Sequence, residues 1–293
     1  MMTFQEFMAT LPDETACKTY LTMRRWPDGP RCPRCGNTKV YESTTRPFTW
    51  QCRNHGNPYR FSVLVRTVFE NTNVPLLTWF KVLYTMLQSK KGISSLQLRR
   101  MFFGERSSTH TAWYVGHRLR AAMYDPDFRQ LMGIVEVDET FVGGKDKNRH
   151  WDKKTHVSGG EGSGKVGVIG AISRKGNVVC QIIENTDTRT LDSFVRKAVS
   201  DKVDLVATDE HSGYRWLKPT FSHESVSHGK GEYVRGEVHT NNIESFWSLL
   251  KRGIMGSFHH VSKKYLPLYL AEFQFRHNNR KNPDIFGEAV AGC

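Results

Sequence analysis

Three acidic residues, Asp138, Asp209 and Glu244, have the type and placement that metal-dependent phosphodiester chemistry requires. The first two end β-type runs that begin at Ile134 and Asp204, and the third lies near the start of a helical stretch. Carboxylates are hard oxygen ligands suited to Mg²⁺ or Mn²⁺. Two such ions roughly 3.5–4 Å apart can hold both the attacking and the leaving oxygen of a phosphodiester. The three acids therefore predict a two-metal site.

Element order makes this prediction specific, because a single Asp at a strand end is more often a turn residue or a helix cap. From the first acid to the last, the hydrophobic pattern predicts strand, strand, strand, helix, strand and helix. That order is the layout of an RNase H-like fold, a mixed sheet with flanking helices. On this layout Asp138 and Asp209 project from neighbouring strand ends, and Glu244 completes the site from a packed helix.

Several neighbours of the three acids are candidates for supporting roles. Lys251 lies two helical turns beyond Glu244 on the same face, where it could contact a phosphate. Asn242 is interpreted first as a helix N-cap and alternatively as a residue that orients a ligand or touches DNA. Glu139 and Glu210 each follow a candidate ligand directly. Alternation along a strand turns them to the opposite face, which predicts a supporting or structural role.

Two short motifs, Cys32-Pro-Arg-Cys35 and Cys52-Arg-Asn-His55, have the spacing of paired metal-binding knuckles. Thiolate and imidazole ligands in this arrangement match a tetrahedral Zn²⁺ site of the Cys₃His type. The alternative is unpaired cysteines with a chance histidine. Four protein ligands leave no open position on the metal, so we expect a structural role for this zinc.

Charge is concentrated in the first part of the chain. The formal net charge is +13, and residues 1–133 hold 19 Lys and Arg against 9 Asp and Glu. A basic region can neutralise phosphates and release counterions, which favours nucleic-acid binding, although a generic basic surface is the alternative. An anionic membrane is a poorer partner, because no strongly amphipathic Lys-rich helix is evident.

Composition also bounds the cellular setting. No run of about 18 apolar residues predicts a transmembrane helix, and the N-terminus lacks the basic and apolar regions of a secretory signal. Six cysteines, of which Cys180 and Cys293 stand alone, indicate a reducing compartment and not a disulfide framework. We therefore expect a cytoplasmic protein.

Three helical stretches follow the knuckles. They cover Pro75–Gln88, Ser94–Phe103 and a segment that begins near Ser107 and runs through Arg120. A short turn between the last two predicts a helix-turn-helix, and a plain three-helix packing unit is the alternative. The candidate DNA contacts here are Arg99, Arg100, Arg118 and Arg120.

A glycine-rich stretch at Gly159–Lys165 imitates a phosphate-binding loop. The next residue is Val166 where such loops carry Ser or Thr, and a strand follows where they have a helix, so an ATPase is disfavoured. The wider segment Gly143–Lys165 is interpreted as a loop whose basic residues suit the DNA backbone. These are Lys145, Lys147, Arg149, Lys153 and Lys154.

A set of motifs spread over nearly the whole chain carries a family resemblance. The motifs are Cys32-Pro-Arg-Cys35-Gly, Gly92-Ile-Ser-Ser-Leu-Gln-Leu98, Thr111-Ala-Trp113, Val137-Asp138-Glu139-Thr140, Gly143-Gly144-Lys145, Thr208-Asp209, His239-Thr-Asn-Asn-Ile-Glu244-Ser-Phe-Trp-Ser-Leu-Leu-Lys251-Arg252 and Tyr269-Leu-Ala-Glu-Phe-Gln-Phe-Arg276-His-Asn278-Asn-Arg280. In these motifs the chain resembles DDE-superfamily insertion-sequence transposases of the ISXO type, which carry an N-terminal zinc ribbon.

The resemblance implies that Asp138, Asp209 and Glu244 are the catalytic acids and hold two Mg²⁺ or Mn²⁺ ions. Some relatives carry Asn at the third acidic position, which keeps Asn242 as a secondary candidate. The second knuckle often ends in Cys in such proteins, where this chain has His55. Lys251 and Arg252 join the candidate DNA contacts.

Four segments are expected: an N-terminal helical segment at 1–30, a zinc ribbon at 31–66, a helix-turn-helix-like region at 67–130 and an RNase H-like catalytic domain at 131–293. The implied activity is DNA strand cleavage and strand transfer of an insertion sequence. A nuclease without strand transfer and a transposase-derived DNA-binding regulator are the alternatives. The implied partners are double-stranded terminal inverted repeats, target DNA and at least one further copy of the chain. The implied setting is the nucleoid of a bacterial or archaeal host.

Overall fold

The chain divides into two units, Met1–Met123 with Asn279–Cys293, and Tyr124–Asn278. The structure is a computed structural model that describes residues 2–144, 148, 150–155, 163–226, 234–236 and 238–293. Residues 279–293, which the sequence grouped with the catalytic domain, cluster with the first unit. The four segment boundaries otherwise stay predictions. No helix among these residues is long and apolar enough to cross a bilayer.

The first unit contains six α-helices among the described residues. They are α1 (Phe4–Thr10), α2 (Glu14–Arg25), α3 (Leu76–Gln88), α4 (Ser95–Leu98), α5 (Thr109–Ala122) and the C-terminal α9 (Ile285–Ala291). A π-helical turn, Arg99–Phe103, continues α4, and Ser108 caps α5, so the predicted helix-turn-helix-like pair is present. Pro75 leaves α3 without a side-chain cap of its own. The Glu14 carboxylate accepts the first two N–H groups of α3 instead, at 3.1 Å each.

A small antiparallel sheet carries the predicted ribbon. Its strands are β1 (Val40–Glu42), β2 (Thr49–Cys52) and β3 (Tyr59–Ser62), in that order. Aromatic side chains supply its core, since Trp26 packs edge-on against Trp50 with ring centroids 5.3 Å apart and Phe61 stacks on Trp50. The ribbon is therefore held by a few large rings and by its cysteine cluster.

A five-stranded mixed sheet forms the middle of the second unit. The strands are β4 (Ile134–Val142), β5 (Val166–Ser173), β6 (Val178–Ile183), β7 (Leu205–Thr208) and β8 (His223–Ser225), in the order β6-β5-β4-β7-β8. The first three pair antiparallel, whereas β4, β7 and β8 pair parallel. The helices are α6 (Thr188–Ala198), α7 (Asn241–Gly253) and α8 (Leu266–Asn278). This architecture confirms the predicted RNase H-like class, and β8, with three residues, was not predicted.

Alternation along the strands gives the sheet two apolar faces. Val135 and Val137 of β4 pack on the side of α6. Val142 lies in the cluster of α7 and α8 on the opposite side. Gly170 of β5 lies beneath Trp247 of α7, because a Cβ at this glycine would come 2.6 Å from the indole. A glycine is thus needed for α7 to approach the sheet this closely.

The outer edge of β6 is covered by side-chain amides of α8. Val178 exchanges two hydrogen bonds with Asn278, at 2.8 and 3.0 Å. The Cys180 N–H donates to Gln274 at 3.0 Å. These contacts satisfy backbone groups that would otherwise face outward from the sheet.

Candidate active site

Two of the predicted acids meet because β4 and β7 run parallel and in register. Asp138 does not end its strand as the sequence predicted, since β4 continues to Val142 in antiparallel pairing with β5. The parallel pairing with β7 ends earlier, where Glu136 lies opposite Ala207. Two residues further along each chain, Asp138 and Asp209 therefore stand at the same level.

Glu139 joins Asp138 and Asp209 in one cluster. One carboxylate oxygen from each of the three residues lies within 4.8 Å of the others, and all three side chains are half-buried. Alternation predicted that Glu139 would turn away from the site. Beyond Glu136, the edge of β4 that faces β7 has no paired strand among the described residues. We attribute the position of the Glu139 carboxylate to this open edge, because the long Glu side chain can reach around the edge from the opposite face of the sheet.

Two buried polar atoms, on Glu139 and on Tyr214, make no regular hydrogen bond among the described residues. They are Glu139 Oε1 and the Tyr214 hydroxyl oxygen. Tyr214 is 1% exposed and lies in the short 3₁₀ helix after Asp209, Ser212–Leu217. A buried carboxylate oxygen without a donor is costly unless a cation or a proton compensates it.

The raised pKa values of two carboxyl groups in the cluster also indicate that their negative charges are poorly compensated. Burial, and after it the charge of Asp209, raises the pKa of Asp138 to about 7. Burial, opposed in part by the nearby Tyr214 hydroxyl, raises the pKa of Glu139 to about 8. The Trp247 indole lowers the pKa of Asp138 less than the other causes change it, and its Nε1 makes no regular hydrogen bond among the described residues. Among the described residues, no positively charged side chain is a cause of the pKa shifts of Asp138 and Glu139.

Glu244 faces this cluster from the first turn of α7 but is not one of the three clustered acids. Its charge contributes to the raised pKa of Asp138, so the two carboxylates interact across the site. The buried Thr240 hydroxyl donates to Glu244 Oε1 at 2.7 Å and fixes the side chain from one side. The structure therefore brings all three predicted acids to one region.

The donor set fits a hard divalent cation. Within the part of the chain that the structure describes, it consists of carboxylate oxygens alone, and one buried oxygen makes no regular hydrogen bond. Ionisation of two of the acids is disfavoured. Mg²⁺ and Mn²⁺ prefer such ligands and would remove the charge imbalance. Asp138, Glu139 and Asp209 could hold a metal ion here, with Glu244 on the facing helix.

The ribbon contains a second cluster, of Cys32, Cys35, Cys52 and His55, whose ligand atoms lie within 4.8 Å of one another. The Sγ atoms of Cys35 and Cys52 are 3.8 Å apart, and Cys32 Sγ is 3.4 Å from His55 Nε2. Tetrahedral Zn²⁺ with bonds of about 2.3 Å to sulfur and 2.0–2.1 Å to nitrogen would give edges of roughly 3.8 and 3.6 Å. The cluster fits a structural zinc ion, as predicted from the spacing.

Burial corrects one predicted DNA contact. Arg120 is 1% exposed and lies against His117 inside the first unit, so its guanidinium is not offered to a ligand at the surface. Arg118 is partly buried and donates to the carbonyl groups of Thr67 and Glu70. The helical pattern did not reveal these roles, because charged residues can lie on the packed side of a helix when they find partners there.

The other predicted contacts lie at or near the surface. Arg100, Lys251 and Arg252 are exposed, whereas Arg99 is half-buried and binds the Glu105 carbonyl. Asn242 is not the N-cap, a position that Thr240 takes, and its side-chain amide donates to Glu136 at 2.7 Å. Of the predicted basic loop, Lys145, Lys147 and Arg149 lie outside the described residues, as does most of Gly159–Lys165.

Comparison with known proteins agrees with this geometry. A model of the ISXO2-like transposase domain matches residues 130–278, just over half of the chain, and a transposase zinc-ribbon model matches residues 12–54. A protein of Halobacterium salinarum described as an uncharacterized protein in transposable element ISH50 is 29% identical over 290 residues, covering 94% of each chain. An uncharacterized transposase-like protein of Haemophilus influenzae is 29% identical over 106 residues, which are 36% of this chain and 84% of that protein. The resemblance drawn from the motifs is thereby confirmed, and the chain belongs to the family of ISXO2-like transposases.

Proposed function

We propose that this transposase cleaves DNA strands at the ends of an insertion sequence and joins the released 3′-hydroxyl groups to target DNA. The observation that carries the proposal is the meeting of Asp138 and Asp209, two acids 71 positions apart, at the open edge of β4 with Glu244 facing them. Membership of the transposase family supports it.

The residues of the site would act by position and charge. Asp138 and Asp209 would hold Mg²⁺ or Mn²⁺ ions, and Glu244 would complete the ligand set from α7. We add Glu139 as a ligand candidate because its carboxylate shares the cluster. Two bound ions would supply Lewis-acid activation of the attacking oxygen and neutralise the charge on the leaving oxygen. The half-buried setting strengthens these electrostatic effects relative to bulk water.

DNA recognition would fall to the basic first unit. The zinc ribbon and the paired helices around Arg100 would bind the terminal inverted repeats, and Lys251 and Arg252 would contact phosphates near the metal site. Phosphate contacts of this kind position a protein on DNA without reading its sequence. Joining two ends of an element requires two bound ends, so the active species would contain at least two copies of the chain.

A strand-transfer assay with Mg²⁺ and end DNA that already carries a free 3′-hydroxyl tests the activity. Joined products support the proposal. Cleavage of uncut ends without joining would instead identify a nuclease, and end binding without any reaction would identify a DNA-binding regulator.

The site is tested by Asp209→Asn, which should abolish cleavage and joining while end binding stays at the wild-type level. The matched control is Glu184→Gln, which neutralises a carboxylate with a side chain 88% exposed in the same unit. Substantial cleavage by Asp209→Asn would remove Asp209 from the proposed ligand set.

A further inference from the structure

Glu136 is a fully buried carboxylate in the central strand, two residues before Asp138. Its Oε1 accepts from Arg174 Nε at 3.0 Å and from the Asn242 side chain at 2.7 Å. His239 Nδ1 also lies 3.2 Å from Oε1, without hydrogen-bond alignment. The Glu136 side chain is therefore firmly fixed, because moving it would leave the buried carboxylate and its donors without partners, which is costly.

The second oxygen of Glu136 caps helix α7 from outside the helix. Oε2 accepts from the backbone N–H of Asn242 at 2.8 Å and from that of Ile243 at 3.2 Å. Thr240, at the N-cap position of α7, makes no side-chain capping bond. A carboxylate here satisfies N–H groups that have no partner within the helix and lies at the positive end of its dipole.

This cap lies next to Glu244. The two backbone N–H groups that Glu136 accepts belong to the residues immediately before Glu244 on the first turn of α7. Thr240, which directly precedes this turn, donates its hydroxyl to Glu244. Glu136 and Asp138 also share one face of β4, because alternate residues point the same way. One strand thus carries both a candidate metal ligand and the anchor of the helix that bears another.

We propose that Glu136 is a positioning residue that holds the first turn of α7 so that Glu244 faces Asp138 at the metal site. This inference rests on the proposed role of Glu244 as a metal ligand. Glu136 itself touches neither metal nor DNA in this proposal. It acts by fixing where the helix begins. A displacement of the helix start by about 1 Å would matter, because metal ligation tolerates little displacement of a ligand.

Mn²⁺ affinity of the DNA-free protein provides a measurement independent of activity. Glu136→Gln keeps the size of the side chain but removes its charge and places an NH₂ group among donors. We expect Mn²⁺ binding to weaken about 10- to 100-fold, the usual effect of disturbing groups that orient metal ligands. The control is Glu272→Gln, which changes another fully buried Glu, paired with Arg276 at 3.3 Å on α8. This variant should melt at a lower temperature than the wild type and bind Mn²⁺ normally.

A double-mutant cycle tests whether Glu136 acts through Glu244. If it does, Glu136→Gln should weaken Mn²⁺ binding in the wild type but have little further effect in Glu244→Gln. Independent, additive losses would overturn the positioning role. So would normal Mn²⁺ binding by Glu136→Gln when Glu244→Gln binds weakly, and this result would leave the proposed function standing.

Two other outcomes test the proposed metal site, on which the positioning role depends. Normal Mn²⁺ binding by Glu244→Gln would overturn the assignment of Glu244 and the positioning role with it, and normal binding by Asp209→Asn would overturn the proposed metal site itself. If Glu136→Gln does not fold, Asn242→Ala replaces it in the same cycle, because this variant removes one donor to Glu136 and leaves both backbone bonds in place. Weakened Mn²⁺ binding that disappears in the Glu244→Gln background is again the expected result, and unchanged or additive binding overturns the role.

Discussion

Replacing Asp138 by Asn should stabilise the metal-free protein, and increasingly so as the pH rises. In the folded chain the pKa of Asp138 is raised from 3.8 to about 7, first by burial and then by Asp209. A folded-state pKa above the unfolded one gives a contribution to stability that is fully present below about pH 4 and is lost as the pH rises through 7. Asn is neutral throughout and avoids this loss.

The size of the effect follows from the shift. A shift of about three pH units corresponds to roughly 4 kcal/mol at 1.36 kcal/mol per unit, reached only above pH 7. Part of that value comes from repulsion by Asp209 and Glu244, which small movements of the side chains reduce, so we expect a gain of about 2 kcal/mol at pH 8. For a unit of this size, such a gain raises the melting temperature by roughly 4–8 °C.

Thermal melting at pH 5 and at pH 8, after dialysis against buffer without Mg²⁺, measures this gain. No chelator is added, because a strong chelator would also remove a metal ion from the cysteine cluster of the ribbon. Glu184→Gln serves as control and should melt like the wild type at both pH values. An Asp138→Asn protein that melts at or below the wild-type temperature at pH 8, or whose gain does not grow between the two pH values, would refute the electrostatic reasoning. Added Mg²⁺ should raise the melting temperature of the wild type more than that of the variant.

Three further predictions concern other parts of the chain. Gly170→Ala should lower the free energy of unfolding by about 1–3 kcal/mol and reduce cleavage, because the new methyl group would press on the Trp247 indole. The control is Gly144→Ala, whose new methyl group would meet no atom of the described residues within 4 Å, and it should change neither melting nor cleavage. Cys52→Ser should lower the zinc content below one ion per chain, measured by atomic emission, and should weaken end binding. Arg100→Ala should reduce the salt dependence of end binding by about one phosphate contact, whereas Arg120→Met should lower the melting temperature and leave that slope unchanged.

The sequence predicted the features that depend on spacing along the chain. The four candidate zinc ligands lie in two short motifs, and spacing within each motif was sufficient to predict the cluster. The two aspartates could be paired because parallel strands bring corresponding ends together. Local pattern and fold order were sufficient for these features.

The features that sequence reasoning missed depend on where neighbouring elements end. Glu139 enters the cluster because β7 is short, and no pattern within β4 reports the length of β7. Arg120 is buried beside His117 of its own helix, and no sequence motif reports this burial. Glu136 did leave a signal, since an acid within an apolar strand run must have donors once it is buried. Identifying those donors required the position of α7.

The amide cover over β6 has a consequence for assembly. A bare edge strand offers its backbone to any other strand, which is a route to domain swapping and to fibres. With Asn278 and Gln274 occupying that edge, a second copy cannot extend the sheet there by adding a strand. If several copies gather on one DNA, as the proposed function requires, they would not be joined through the edge of β6, and their separation would not require strands to be pulled apart there.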